Sequence, residues 1–546
     1  MTALAAPTRA APLLQAPPAF ARRSRAPLAV ARGSRRRVSL TRAQAERSDA
    51  LIERLRELRV GGCFWGARPP LSMGCTVVRC PVAGALTLAS DAKAMHWADT
   101  EALGSGIDPW HLLDHAARVI APHGDTFAIL ARLQGVPTTD SVTGEPLPLD
   151  PDARRALAWE TLVEAHRYHE PFTGSEISAE AAIDLLGEWR RHIEATAGIG
   201  VQFGMRPWKR GQIDRFLMGA ARAPRHAGRG AHALARAGAN KSAIAIWPSR
   251  VPPDFEASAA AAGVPMARIE DGFLRSLGLG VHLVPPQSII IDRRGMHYDP
   301  GRPSDLEALL SQHPFPPELL RRAAALRAAI VTAGIGKYGR ADRASPIALP
   351  QDRRNVLVVG QVEDDWSVRM GDVAGLGNSG LVKRARAHAP DAFLLYKPHP
   401  DTLSGHRRGA LDREARGLAD RILDRPCGLA PLLEQVDEVH VLTSLAGFEA
   451  LLRERAVTCH GVPFYAGWGL TRDFVTVPRR TRRLTLDALV AATLLLYPLY
   501  LDPETGLPCS AERLVACLAS AVPRISLLSR LRRMEGKIRN VLGGAA

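Results

Sequence analysis

Cysteine is scarce and never closely spaced: seven residues (63, 75, 80, 427, 459, 509 and 517) in 546, with no C-x-x-C pair. That pattern excludes a zinc ribbon, a redox dithiol and a disulfide-stapled scaffold, and it points to a reducing compartment. No run of about 18 or more apolar residues occurs, so no transmembrane helix is expected. The most apolar stretch, Leu489–Leu501, contains Pro498 and reads as a core helix and its end. Neither a Walker A loop nor a G-x-G-x-x-G turn is present, which removes support for ATPase and dinucleotide chemistry. Acidic residues are missing altogether from residues 1–45.

What is present is an ordinary soluble composition, 46% hydrophobic and 23% charged, with chain enough for about three domains. The net charge of +16 is lopsided, because residues 1–45 carry nine arginines and no acid. The body is therefore only mildly basic, and no nucleic-acid partner is expected. The Ala/Pro/Arg-rich segment 1–45 reads as a disordered extension, and its prolines argue against an amphipathic transit helix.

Residues 46–195 mix helical patterns with short apolar runs. Leu112-Leu113-Asp114-His115, Val119-Ile120, Phe127, Leu130 and Val136 have counterparts in Leu432-Leu433-Glu434-Gln435, Val439–Leu442, Phe448, Leu451 and Val457. Leu162–Glu170 and Leu489–Leu501 are similar in position, and each is followed by a turn glycine. A weak internal repeat and two ordinary helix–strand–helix units fit these spacings equally. From residue 196 onward, β-branched runs (Ala243–Trp247, Ser288–Ile291, Asn355–Val359, Ala392–Tyr396, Glu438–Leu442) alternate with helical stretches. Such alternation implies parallel sheets covered on both faces. We read an α/β protein with two Rossmann-like lobes, 196–345 and 350–510, a ligand cleft between them, and a basic helix over 511–546.

Four strand ends carry chemistry-bearing residues. Glu270-Asp271-Gly272 offers an acid or base at the end of a strand over Val264–Ile269, or a solvated turn. Gln361-Val-Glu-Asp-Asp365 follows Asn355–Val359. Three adjacent acids cannot all ionise cheaply in one cleft, so the cluster binds a cation or divides its labour, one carboxylate serving as nucleophile. No further ligand stands at a convincing spacing, and no metal is expected. Lys397-Pro-His399-Pro can face a phosphate. Thr443-Ser444 at a strand-to-helix junction forms an N-cap and an anion site. Glu449 falls on the first turns of that helix, within reach of a ribose.

Together these strings resemble the capsule-polysaccharide synthesis proteins of the KpsC type. Ile269–Gly280, Gly360–Asp365, Lys397–Pro400, Thr443–Leu451 and Gly461–Thr471 occur in the family's order, over about residues 196–520. The resemblance implies a GT-B fold and a retaining β-Kdo transferase, with CMP-Kdo as donor and a lipid-linked Kdo as acceptor. It implies no cofactor, and a cytoplasmic protein with peripheral contact to the inner, anionic membrane face. One intact module of the C-terminal type is present, and residues 46–195 correspond to a degenerate half-module with Ala128 in the place of Glu449. Position by position, Asp365 is the implied nucleophile with Asp364 as its neighbouring rival, and Asp271 or Glu270 is the acid/base. Lys397, His399, Thr443, Ser444, Gln361 and Glu449 form the implied nucleotide side of the site. Arg275 is assigned to the sugar carboxylate on charge alone. A transferase using another CMP-ulosonic acid, and a non-catalytic glycan- or lipid-binding scaffold, remain open at this level. The basic, apolar-striped stretch Pro523–Leu542 reads either as a membrane-docking helix or as a closing helix of the fold.

Overall fold

The structure is a computed structural model that describes residues 12–32, 39–79, 94–97, 106–219, 223–275, 285–336, 339–340, 347–403, 407–423 and 428–520. The expected C-terminal helix over Pro523–Leu542 and the end of the first motif, Ser276–Gly280, lie outside the described residues. The chain divides into two compact units. The first comprises Met1–Ala197, Met218–Ala223 and Glu504–Cys509; the second comprises Gly198–Leu217, Pro224–Pro503 and Ser510–Ala546.

In the first unit a four-stranded parallel sheet runs in the order Ala94–Trp97, Cys75–Arg79, Ala116–Ala121, Thr138–Asp140. The expectation of disorder through residue 45 fails for residues 12–32. Pro18–Ala21 is a helical turn, and Ala29–Ala31 pairs antiparallel with His166–His169. Leu13, Leu14 and Phe20 are buried, and the Phe20 ring packs edge-on against Trp189 at 5.1 Å. Composition averaged over the segment hid these few apolar anchors among the arginines and prolines.

One series of elements occurs twice. Helix Pro109–His115, strand Ala116–Ala121, helix Thr126–Leu133 and strand Thr138–Asp140 match Leu429–Leu433, Glu438–Val441, Leu445–Leu452 and Ala456–Cys459. Further on, a π-helical turn, a strand and a short strand (Trp159–Glu164, His166–His169, Glu176–Ile177) recur as Ala491–Leu496, Pro498–Leu501 and Pro508–Cys509, at one constant offset. π-helical turns are rare. Thr161, Leu162, Tyr168, Pro171, Thr173-Gly174 and Ser178-Ala-Glu180 stand where Thr493, Leu494, Tyr500, Pro503, Thr505-Gly506 and Ser510-Ala-Glu512 stand in the second copy.

Among the described residues the second unit holds two large sheets and a two-stranded ribbon, Ile335–Gly336 with Gly339–Arg340. In the first, β1 (Ile199–Phe203), β2 (Arg225–Ala227), β3 (Ala243–Ile246) and β4 (Met266–Asp271) are parallel in the order β2-β1-β3-β4. Here the expectation of wholly parallel sheets is corrected. β5 (Ser288–Asp292) returns antiparallel to β4 and is followed by another antiparallel strand, Pro498–Leu501. Strands buried on both faces look alike whichever way they run, and Pro498 ends the apolar helix because its ring cannot continue one. The second sheet consists of β6 (Asn355–Val359), β7 (Phe393–Lys397), β8 (Arg421–Ile422), β9 (Glu438–Val441), β10 (Ala456–Cys459) and β11 (Arg472–Asp473). All are parallel in the order β8-β7-β6-β9-β10-β11, which places a topological switch between β6 and β9. Every residue of β6 is buried, as a strand covered on both faces requires. The helices that bear on the site are α1 (Pro207–Leu217), α2 (Trp366–Gly371), α3 (Gly377–His388) and α4 (Leu445–Leu452).

One face of the second sheet buries a polar row. Thr458 donates to Glu438 Oε1 (2.5 Å), and His440 Nδ1 lies 3.0 Å from His460 Nε2, with both imidazoles fully buried. Burial, then the neighbouring His440, Arg384 and His388, push His460 down to about 3. A histidine free in the unfolded chain titrates near 6.5. Between those values the unfolded state binds the extra proton, so stability present above pH 6.5 is lost as pH falls towards 3. We expect acidification over this window to cost on the order of a few kcal/mol, and His460→Gln to flatten the slope. Urea titrations at several pH values measure it, and parallel slopes for the two proteins would refute the assignment to His460.

Candidate active site

Three of the four motifs meet at the switch point of the second sheet. After β6 the chain turns through Gly360, where a Cβ would lie 2.2 Å from the Tyr396 hydroxyl, so no side chain fits. Gln361 follows, and its amide bridges to the next motif: Nε2 donates to Thr443 Oγ1 (3.1 Å) and Oε1 accepts from Thr443 N (2.9 Å). Ser444 is the N-cap of α4, its hydroxyl accepting from Ala446 N at 3.2 Å. Tyr465, from the fifth motif, donates to the Ser444 carbonyl (2.5 Å) and braces the junction. Lys397 closes β7 beside β6, its carbonyl accepting from Gly360 N (2.9 Å). His399 is half-buried two residues on, with Nδ1 accepting from Asp401 N at 3.1 Å. Gln361, Lys397, His399, Thr443 and Ser444 thus share the C-terminal edge of three neighbouring strands, where parallel sheets bind ligands.

The three consecutive acids do not converge. Glu363 accepts from Asn378 N (2.8 Å) near the start of α3. Asp364 is held by the guanidinium of Arg407, which keeps its carboxyl below the usual range. Asp365 is exposed at the N-cap of α2, bonds no amide of that helix, and has no ion pair among the described residues. No group of three His, Cys, Asp or Glu side chains arranged to hold a metal occurs among the described residues.

The first sheet contributes the other acids. Glu270 and Asp271 are the last two residues of β4 and not a turn after it. Asp271 is clamped, with Lys209 Nζ 2.9 Å from Oδ1 and Arg275 Nε 2.7 Å from Oδ2. Lys209 lies under the Trp247 ring, 3.7 Å from its centroid. Burial alone would push Asp271 up; the charges of Lys209 and Arg275 and their hydrogen bonds outweigh it and hold the group ionised. Arg275 is itself 3% exposed. It pairs with Asp271 across the end of β4. Glu270 is half-buried and accepts from Asp271 N at 3.0 Å. Close by, the Tyr298 hydroxyl is pushed up, first by burial and then by the carboxylates of Glu270, Asp299 and Asp365.

Glu449 sits apart from that edge. It is 8% exposed and lines an apolar pocket with Phe273, Leu274, Ile335, Phe448 and Leu494, so close to Gly336 that a Cβ there would lie 2.8 Å from Oε2. Phe273, which follows the Glu-Asp-Gly string, packs on Phe464 of the fifth motif at 4.8 Å, fastening the first sheet's acids to the second sheet's loops. Lys209, Tyr298, Asn378 and Arg407 escaped the sequence reading. Lys209 follows a strand end as the motifs do, but within Arg206-Pro-Trp-Lys-Arg210 it reads as the start of a basic helix.

A fold of parallel α/β sheets with these strings at its strand ends defines a class, and comparison gives it a family. The pattern described as "Capsule polysaccharide biosynthesis protein" matches residues 242–500. A solved structure, the beta Kdo 2,4 transferase of KpsC from Thermosulfurimonas dismutans, is 32% identical with a TM-score of 0.52, over 59% of this chain and 98% of that one. The chain belongs to the capsule polysaccharide biosynthesis protein family of the KpsC type. It is also 43% identical to the capsule polysaccharide modification protein LipA of Neisseria meningitidis serogroup B, over 46% of this chain and 35% of that protein. Against the lipopolysaccharide-processing protein LpsZ of Rhizobium meliloti it is 43% identical, over 48% of this chain and 61% of that protein. The chain thus spans about a third of LipA. Among the described residues no helix is long and apolar enough to cross a membrane.

Proposed function

We propose that this chain is a retaining β-Kdo glycosyltransferase of GT-B form that moves Kdo from CMP-Kdo to a lipid-linked Kdo acceptor in the synthesis of a surface-polysaccharide linker. The observation that supports the reading is the gathering of Gln361, Lys397, His399, Thr443 and Ser444 at the C-terminal edge of three neighbouring strands, with the exposed, unbonded carboxylate of Asp365 four residues after Gln361. An unbonded carboxylate next to a phosphate-binding strand edge suits a double displacement, with an acid of the first sheet as the base. An Asp365 oxygen attacks the anomeric carbon, the bond to the phosphate oxygen breaks, and CMP leaves with the electron pair. The acceptor hydroxyl then displaces the aspartyl ester while a base takes its proton. Of the two candidate bases Glu270 suits the task better, because the clamped Asp271 is a weak proton acceptor. Lys397, His399, Thr443 and Ser444 stand where the leaving phosphate gathers charge, and no cofactor or metal enters the scheme. The repeated elements and the Ala128 that replaces Glu449 support reading residues 46–195 as a catalytically silent half-module.

The test is incubation with CMP-Kdo and a synthetic Kdo-lipid acceptor, with the linkage read by NMR. A β-linked product is expected, formed at the same initial rate in excess EDTA. No transfer, or an inverted product, would overturn the reading. Activity lost to EDTA and restored by Mg²⁺ would turn the acids at 363–365 into metal ligands.

A further inference from the structure

The donor site leaves Arg407 without a task, yet its geometry is specific. One edge of its guanidinium grips Asp364: Nε lies 3.0 and 3.1 Å from the two carboxylate oxygens, and Nη2 lies 3.0 Å from Oδ1. Nη1, on the other edge, meets no partner among the described residues. The backbone around Arg407 is tied to the edge of the second sheet by a buried knot. Asn378, fully buried, accepts from Gln361 N on Oδ1 (2.9 Å) and donates through Nδ2 to the carbonyls of Gln361 (2.8 Å) and Gly409 (2.9 Å). Glu363 N donates to the Arg408 carbonyl at 3.1 Å. Gly409 has φ +138°, and a Cβ there would lie 2.6 Å from Asn378 Nδ2, so the loop closes this tightly only because it carries glycine. The same Gln361 that orients Thr443 is thereby locked to the loop that carries Arg407.

Exposed ion pairs contribute little to stability, and both partners here are more than 40% exposed. What the pair does instead is fix the plane of a guanidinium on the loop tied to Gln361 and Glu363, just past the C-terminal end of β6. An arginine reads phosphate oxygens through two parallel N–H donors, and the edge turned away from Asp364 offers that fork. We propose that Arg407 is a further donor-binding residue that takes the phosphate of the nucleotide, and that Asp364 is its positioning residue. This rests on the reading above that a nucleotide monophosphate ester occupies the crevice. It also separates the adjacent acids: Asp364 orients a cation, and Asp365 keeps its charge for the sugar.

The experiment compares CMP with cytidine, which differs by the phosphate alone, in equilibrium binding to the full-length protein, Arg407→Ala, Arg407→Lys, Asp364→Ala and the Asp364→Ala/Arg407→Ala pair, with UMP and GMP alongside. Arg407→Ala is expected to weaken CMP by about tenfold or more, the worth of a charge-assisted contact, and to leave cytidine unchanged. Arg407→Lys recovers part of the loss. Asp364→Ala weakens CMP less and adds nothing once Arg407 is gone, and in transfer assays both losses fall on KM for the donor more than on kcat. CMP binding unchanged in Arg407→Ala, or cytidine and CMP weakened alike, would overturn the assignment, as would a wild-type protein that binds no nucleotide. If the wild type prefers UMP or GMP and Arg407→Ala weakens that nucleotide but not its nucleoside, the CMP donor falls and the role of Arg407 stands.

Discussion

Asp365→Asn is expected to cut sugar transfer by about a thousandfold or more, several kcal/mol of barrier, while CMP still binds. The expectation follows from how the three acids are disposed. Glu363 is committed to a backbone amide and Asp364 to Arg407, which leaves Asp365 as the carboxylate of the run with no bonded partner among the described residues. The asparagine is nearly the same size and keeps the N-cap position of α2, so the fold should not suffer. With donor alone, the wild type should accumulate a sugar adduct on the peptide containing residue 365, and the variant should not; intact-mass and peptide spectra decide it. Wild-type turnover in Asp365→Asn, together with a dead Asp364→Asn, would move the nucleophile one residue back and remove Asp364 from its place beside Arg407.

The second large effect is on stability. Lys209→Met is expected to lower the unfolding free energy by about 3 kcal/mol, the low end for breaking a buried pair, because Arg275 remains on the other oxygen of Asp271. The side chains of Lys209, Asp271 and Arg275 are 9%, 17% and 4% exposed, so water replaces little of the lost cation. Asp271, held below its free value, contributes stability that is present above about pH 4 and lost as pH falls through its folded value. Removing Lys209 should shift that loss to higher pH. Adding Asp271→Asn to Lys209→Met should not restore the stability, since the buried Arg275 then loses the carboxylate it pairs with. Urea unfolding near pH 7 and pH 4 measures all three proteins. A Lys209→Met protein as stable as the wild type would mean that Arg275 alone carries Asp271.

Much of the second unit was legible before any coordinates. The β-branched run Asn355–Val359 is a strand over those same residues, and Ser444 caps the helix expected after it. Convergence of the motifs was legible as well, because a parallel doubly wound sheet brings the C-terminal ends of its strands to one edge. Local pattern does not carry direction or pairing over distance. β5 and Pro498–Leu501 have the apolar look of parallel strands and run antiparallel. Lys209 and Asp271 are 62 residues apart in the chain, and Arg407 and Asp364 are 43, so nothing around either residue announces its partner. Nor does anything local announce that Arg275, a conspicuous charge beside an acidic motif, pairs with Asp271 four residues back.

The duplicated stretch that begins with a π-helical turn has a consequence for how this chain tolerates change. Between Trp159 and Ile177, and again between Ala491 and Cys509, the chain keeps its count to the residue while most side chains differ. A π-helical turn holds an extra residue that an α-helix would expel, and it persists where the surroundings demand that phase. An insertion or deletion inside either stretch should therefore disturb the exit of its strand more than a change of residue type would.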